Sequence, residues 1–185
     1  MREHGVLRRL LLIYEEIEER LDRGKEFPLP ALSGAIALMR RFIQDYHEKD
    51  EEDFIFPRFA RAGKLVDLVQ VLKAQHQAGR KLTAQLQDLA TPTTLQQPAA
   101  RQKLIKPLEA FIRMYRPHAA REDTVLYPAF RTVISPKEFE ALGDQFEDRE
   151  QKLFGKDGFE QIVAEVAGIE KQMGLYDLAQ FTPKV

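Results

Sequence analysis

The chain has 185 residues, of which 44% are hydrophobic and 31% charged, a balance that suits one soluble globular domain with a full core. A net charge of −1 gives a nucleic-acid role no electrostatic support. No apolar run is long enough to span a bilayer, the N-terminus lacks the apolar core of a signal peptide, and a cytoplasmic location is expected. With no cysteine, disulfides, thiolate zinc sites and cysteine-bound clusters are excluded, leaving imidazole and carboxylate as the available metal ligands.

Within residues 3–22, Val6, Leu10, Ile13, Ile17 and Leu21 recur at spacings of three and four. This is an amphipathic helix, with Glu15, Glu16, Glu18, Glu19 and Arg20 mostly on its wet side. Gly24 ends it, and Phe27-Pro28-Leu29-Pro30 leads into a second helix from about Pro30 to Asp53 or slightly beyond. Pro57 is expected to kink or end that helix, because proline lacks the donor and clashes with the preceding turn. Ala62-Gly63 closes the segment.

A third helix covers roughly 64–90, with Leu65, Leu68, Val69, Leu72, His76, Leu82 and Leu86 on or near its inner stripe. Thr91-Pro92-Thr93-Thr94 reads as a loop. The fourth helix begins near Pro98 and runs to about Leu126, bent by Pro107 and Pro117. Ser135-Pro136-Lys137-Glu138 is a helix start, followed by the stripe Phe139, Leu142, Phe146 and Leu153. Asp157-Gly158-Phe159-Glu160 offers a second capping box, opening a helix through Ile162, Val166, Ile169 and Met173 to Gly174. The tail from Leu175 to Pro183 is apolar enough that packing on the bundle is expected.

One stretch occurs twice. His47-Glu48-Lys49-Asp50-Glu51-Glu52-Asp53-Phe54-Ile55-Phe56-Pro57 and His118-Ala119-Ala120-Arg121-Glu122-Asp123-Thr124-Val125-Leu126-Tyr127-Pro128 share the pattern H-x-x-x-E-[ED]-x-x-[IL]-[FY]-P, with Phe59 and Phe130 matching beyond it. Residues four apart lie one turn apart on the same helix face, so each histidine and its glutamate can reach a common point. A lone H-x-x-x-E is usually an exposed helix pair. Repetition in a chain with only four histidines makes two metal claws the better reading.

Short connections make consecutive helices antiparallel neighbours, so the depth of each histidine follows from the rise per residue. His4, His47 and His76 then lie within about one turn of a common level. His118 falls roughly 9 Å away, a mismatch that proline bends and a non-helical start can absorb. Burying four imidazoles with two or three carboxylates unpaired costs several kcal/mol per charge, and metal is the straightforward compensation.

The pattern His4 … His47-x-x-x-Glu51 … His76 … His118-x-x-x-Glu122 resembles the hemerythrin-like (HHE cation-binding) family over residues 1–130 or so. The resemblance implies an all-α fold, an up-down-up-down four-helix bundle over residues 1–134, with 135–185 as a helical extension packed on it. It implies a non-haem di-iron centre, oxo- or hydroxo-bridged, in which His4 and His47 bind one iron, His76 and His118 the other, and Glu51 and Glu122 bridge. An open position would accept dioxygen, peroxide or nitric oxide; zinc or manganese suits the same ligands.

The chain departs from that pattern in places. Oxygen-carrying hemerythrins have five histidines, two of them four apart on the third helix, whereas Leu72 and Arg80 flank His76 here. Glu48 is the candidate for the missing ligand: it lies about 100° around the helix from His47, and the hemerythrin-like domain of an iron-sensing F-box ubiquitin-ligase subunit is similar in having Glu at that place. The alternative is one more solvated acid. Other members bridge with an Asp five residues after the histidine, but regular geometry puts Glu122 about 40° from His118 and Asp123 about 140°, favouring Glu122 unless the helix bulges. Arg80 is expected to face solvent, with a carboxylate beside the cluster as its alternative partner. His4 lies where helices fray, so either metal pins that turn or the natural chain starts upstream of Met1.

The leading functional expectation is therefore a di-iron protein that senses, binds or reacts with dioxygen, peroxide or nitric oxide, or responds to iron. One alternative is a carboxylate-rich di-iron oxidase or peroxidase-like enzyme. Another is a metal-stabilised interaction module whose extension docks a partner or a second copy. Iron–sulfur repair members carry a cysteine-bearing segment before the bundle, which this sequence does not show.

Overall fold

The computed structural model describes residues 2–184, and all regular elements among them are helical. The first helix, α1, is Arg2–Asp22. The second, α2, is one rod whose hydrogen-bond pattern alternates. Leu29–Leu38 is α-helical, Met39–His47 is a wider π-helical stretch, Glu48–Asp50 returns to α, Glu51–Ile55 widens again and Phe56–Ala62 finishes it. α3 is Val66–Leu89. α4 consists of Ile105–Arg121, a π turn Glu122–Leu126 and Tyr127–Phe130. α5 is Pro136–Phe154 and α6 is Gly158–Met173.

Helix α1 packs on α2 and α4, and α3 packs on the same two, so these rods enclose a common interior. The periodicity that predicted them holds: Leu10, Ile13, Ile17 and Leu21 of α1 are buried, and they share one cluster with Phe42, Phe111, Ile162, Val166 and Met173. The last three belong to α6, which lies against α1 and α2. A second cluster contains Ile55, Phe56, Phe59, Val69, Leu72, Leu126, Phe130 and Leu142. Along α2 and α3 the histidines fall between these two clusters, and on α4 His118 adjoins Ala119, the last residue of that helix in the first. None of the described helices is long and apolar enough to cross a membrane.

Several local expectations change. Pro57 neither ends nor interrupts α2. The Phe56 N–H reaches back five residues to the Glu51 carbonyl, and this widened turn shifts the register that the proline ring would otherwise strike. Pro128 follows the same device, with the Tyr127 N–H on the Glu122 carbonyl. Pro107 falls in the first turn of Ile105–Arg121, where a missing N–H is harmless, leaving Pro117 as the internal one. The expected Thr91–Thr94 loop is a short helix, Pro92–Gln96, with Thr91 Oγ1 accepting from the Thr94 N–H at 3.1 Å.

The Ser135 capping box forms as read, with Oγ accepting from the Glu138 N–H at 3.2 Å and Glu138 returning to the Ser135 N–H at 3.2 Å. The second box does not form. A tight turn closed by Gly158 N–H on the Gly155 carbonyl holds Asp157 at φ −110, ψ 36, away from the extended conformation that aims a cap at the helix. In the tail Leu175 packs against the core, but Tyr176, Leu178 and Phe181 remain exposed, contrary to the expectation of a packed segment. Its backbone is satisfied locally instead, in a turn where Asp177 accepts from the Ala179 N–H at 3.0 Å.

Candidate metal centre

The rods α1, α2, α3 and α4 each deliver one buried imidazole: His4, His47, His76 and His118. His4 Nε2 lies 3.0 Å from His47 Nε2, and His76 Nε2 lies 3.2 Å from His118 Nε2. Two buried carboxylates stand between these pairs. Glu122 Oε2 is 3.4 Å from His4 Nε2 and 3.2 Å from His118 Nε2. Glu51 Oε2 is 3.4 Å from His76 Nε2 and 3.8 Å from His47 Nε2.

The outer edges of three rings are tied down. His4 Nδ1 meets Asp123 Oδ1 at 2.8 Å, His76 Nδ1 meets Glu52 Oε1 at 3.0 Å, and His118 Nδ1 meets Gln75 Oε1 at 2.9 Å. Each partner is an oxygen acceptor, so Nδ1 carries the proton and the inward Nε2 presents a lone pair. The carboxylates are oriented too: the Tyr127 hydroxyl donates to Glu51 Oε1, leaving Oε2 turned inward. Glu51 Oε2 and both oxygens of Glu122 are buried without a hydrogen-bond partner. The interior therefore gathers acceptor atoms that face one another, an arrangement that is costly alone and that cations reconcile.

The titration behaviour has the same origin. Burial, and then the adjacent His4 ring, pushes His47 well below the usual imidazole range. Burial and the neighbouring Glu122 push Glu51 well above the usual carboxylate range. Burial acts on Glu122 in the same sense but is outweighed by the close His118 and His4 rings, which hold it low. For Glu52 burial is likewise overcome, here by His76 and Arg80, and its pKa falls to about 2.

Six of the residues singled out in the sequence thus converge. Glu48, the seventh, is buried beside His76, with oxygens engaged by the Tyr115 hydroxyl at 2.5 Å and by Arg80 at 3.0 Å. Burial raises its pKa to about 7 against the opposing pull of His76, Tyr115 and Arg80. Arg80 does not face solvent as expected but bridges Glu48 and Glu52, lying 2.8 Å from the latter. The helix carrying Glu122 and Asp123 does bulge, yet Glu122 stays on the inner face and Asp123 clasps His4 and Arg8. Glu52, Gln75 and Tyr127 were not predicted as partners. The places of Glu52 and Tyr127 within the repeated motif hint at their roles, whereas Gln75 lies outside both copies.

The family model of the hemerythrin HHE cation-binding domain matches residues 1–130 and 67–155. The chain belongs to the hemerythrin HHE cation-binding family. Uncharacterized proteins from Mycobacterium bovis (Mb2018) and Mycobacterium tuberculosis (Rv1995) are each 49% identical to it over 183 residues, covering 99% of this chain and 72% of the relative. No solved structure matches. As a hemerythrin HHE domain the chain is a cation-binding protein, and its donor sets fit that assignment. Ligand atoms of His4, His47, Glu51 and Glu122 lie within 4.8 Å of one another, as do those of His76, His118 and Glu122, and those of Glu48, Glu52 and His76.

Proposed function

We propose that the protein holds a non-haem di-iron centre and uses it to sense, bind or react with dioxygen, peroxide or nitric oxide, or to respond to iron. The observation that supports this reading is the pair of inward carboxylates, Glu51 and Glu122, lying between the two imidazole pairs with Glu51 Oε2 and both Glu122 oxygens buried and without a hydrogen-bond partner. His4 and His47 would hold one iron, His76 and His118 the other, with Glu51 and Glu122 spanning both. Bound iron would supply redox electrons and a Lewis-acidic place for a small ligand. Asp123, Glu52 and Gln75 hold the rings in the ligating tautomer. Phe56, stacked on His76 with centroids 5.4 Å apart, helps to exclude water. Glu48 would join the His76 side by releasing Tyr115 or Arg80. Its presence as a third buried carboxylate beside the imidazoles, with Glu51 and Glu122, favours a second reading, an oxidase or peroxidase-like activity.

Metal analysis of protein purified without chelators, with absorption spectra under air and under reductant, tests the reading. About two irons per chain are expected, both lost in Glu51→Ala and in Glu122→Ala. Glu48→Ala should lower iron content less. Zinc or manganese in place of iron, spectroscopically inert to oxygen and peroxide, would overturn the redox role. Wild-type iron in either bridging variant would overturn the ligand scheme.

A further inference from the structure

A cavity of about 210 Å³ lies against one side of the centre, with His47 and Glu51 in its lining. Its apolar walls are Ile55 of α2, Tyr127 and Phe130 of α4, and Phe139, Leu142 and Phe146 of α5. Helix α5 follows the second His–Glu motif, so this wall is built from residues outside both copies. A larger groove of about 720 Å³, lined by Arg40, Arg41 and Glu165 among others, contains none of the six convergent residues.

We propose that the smaller cavity binds a neutral aromatic molecule of one or two fused rings, held beside His47 and Glu51. The cavity exists without metal; the ligand's place next to iron rests on the di-iron reading. Size argues first: an apolar cavity of about 150 Å³ accepts benzene, so this one is far larger than a diatomic gas needs. Composition argues second. Phenylalanine walls favour offset or edge-to-face contact with another ring. Charge argues third: the lining includes Glu3, Asp50 and Glu51 but no Lys or Arg, so it offers a carboxylate-bearing ligand like charges and no side-chain cation. Gly143 lies in the lining at the exposed rim of the cavity, and an added Cβ there would meet no atom within 4 Å.

Indole is a convenient probe because the chain has no tryptophan to mask its fluorescence. Iron-loaded protein should bind indole, and binding of benzoate should be at least tenfold weaker. Gly143→Leu should fill the cavity and weaken indole binding at least tenfold with iron content unchanged. Gly168→Leu, at another helical glycine with open space around it, controls for the backbone effect and should bind indole normally. Faster proton relaxation of indole on iron-loaded than on zinc-loaded protein would place it by the centre. Absent indole binding, or equal binding by Gly143→Leu or of benzoate, overturns the proposal. Binding lost in Gly143→Leu without any relaxation effect overturns the placement. A chain that takes up no iron yet binds indole through this cavity would sink the di-iron reading and keep the aromatic site.

Discussion

Glu122 and Asp123 are adjacent acids, and only one of them reaches the interior. The period of 3.6 made that choice readable: Glu122 shares a face with His118, and Asp123 turns outward to clasp His4 and Arg8. The same rule paired Glu51 with His47, whereas His4 and His76 were reached by helix depth and by the family resemblance. That rule could not find Gln75 as the partner of His118, or Glu52 as that of His76, because those contacts join different helices and no spacing along the chain encodes them. Arg80 was misjudged for a related reason: its partners, Glu48 and Glu52, lie on the neighbouring rod. At this scale Glu52→Ala should weaken metal affinity about 10–100-fold by freeing the His76 ring. Competition against a chelator of known affinity measures it. An unchanged affinity would reduce Glu52 to a simple ion-pair partner of Arg80.

Among the elements, α2 and α4 share a device that single-residue rules misread. Proline alone signals a break, but Pro57 and Pro128 each follow a widened turn that begins at the inward glutamate. Their common offset in the repeated motif carried that information, although propensity gave it no geometry. Helix α3 contributes by absence. A Cβ on Gly79 would overlap the Tyr115 hydroxyl, which needs that gap to reach Glu48. Gly79→Ala should therefore destabilise the protein by about 1–3 kcal/mol through overpacking, despite its better helix propensity. Urea unfolding reads the difference, and a stabilised variant would show that α3 and α4 separate freely. Ser135→Ala should cost about 1 kcal/mol by removing the cap of α5, seen as a lower urea midpoint. No shift would mean that the first turn of α5 is already frayed.

Across the whole molecule, two apolar clusters lie on either side of the imidazole–carboxylate belt. The rods and their order followed from apolar periodicity and short connections. The seating of α6 on α1 and α2 did not, since an amphipathic stripe says that a face is covered without saying by what. The smaller cluster draws on the ends of α2 and α4 and the starts of α3 and α5, so metal should stabilise it most. Removing metal should raise amide exchange at residues 56–62, 69–72 and 126–130 by at least tenfold, while α1 and α6 stay protected. Uniform exchange with and without metal would show that the belt is rigid unaided.

His4 sits near the start of α1, yet that turn is anchored by residues far along the chain. Arg2 pairs with Glu150 at 2.6 Å and lies over the Phe159 ring at 4.3 Å, and Arg9 pairs with Glu170 at 2.6 Å. Glu150 belongs to α5, and Phe159 and Glu170 to α6, so disturbing either of those helices would loosen an imidazole that lies far from them in sequence.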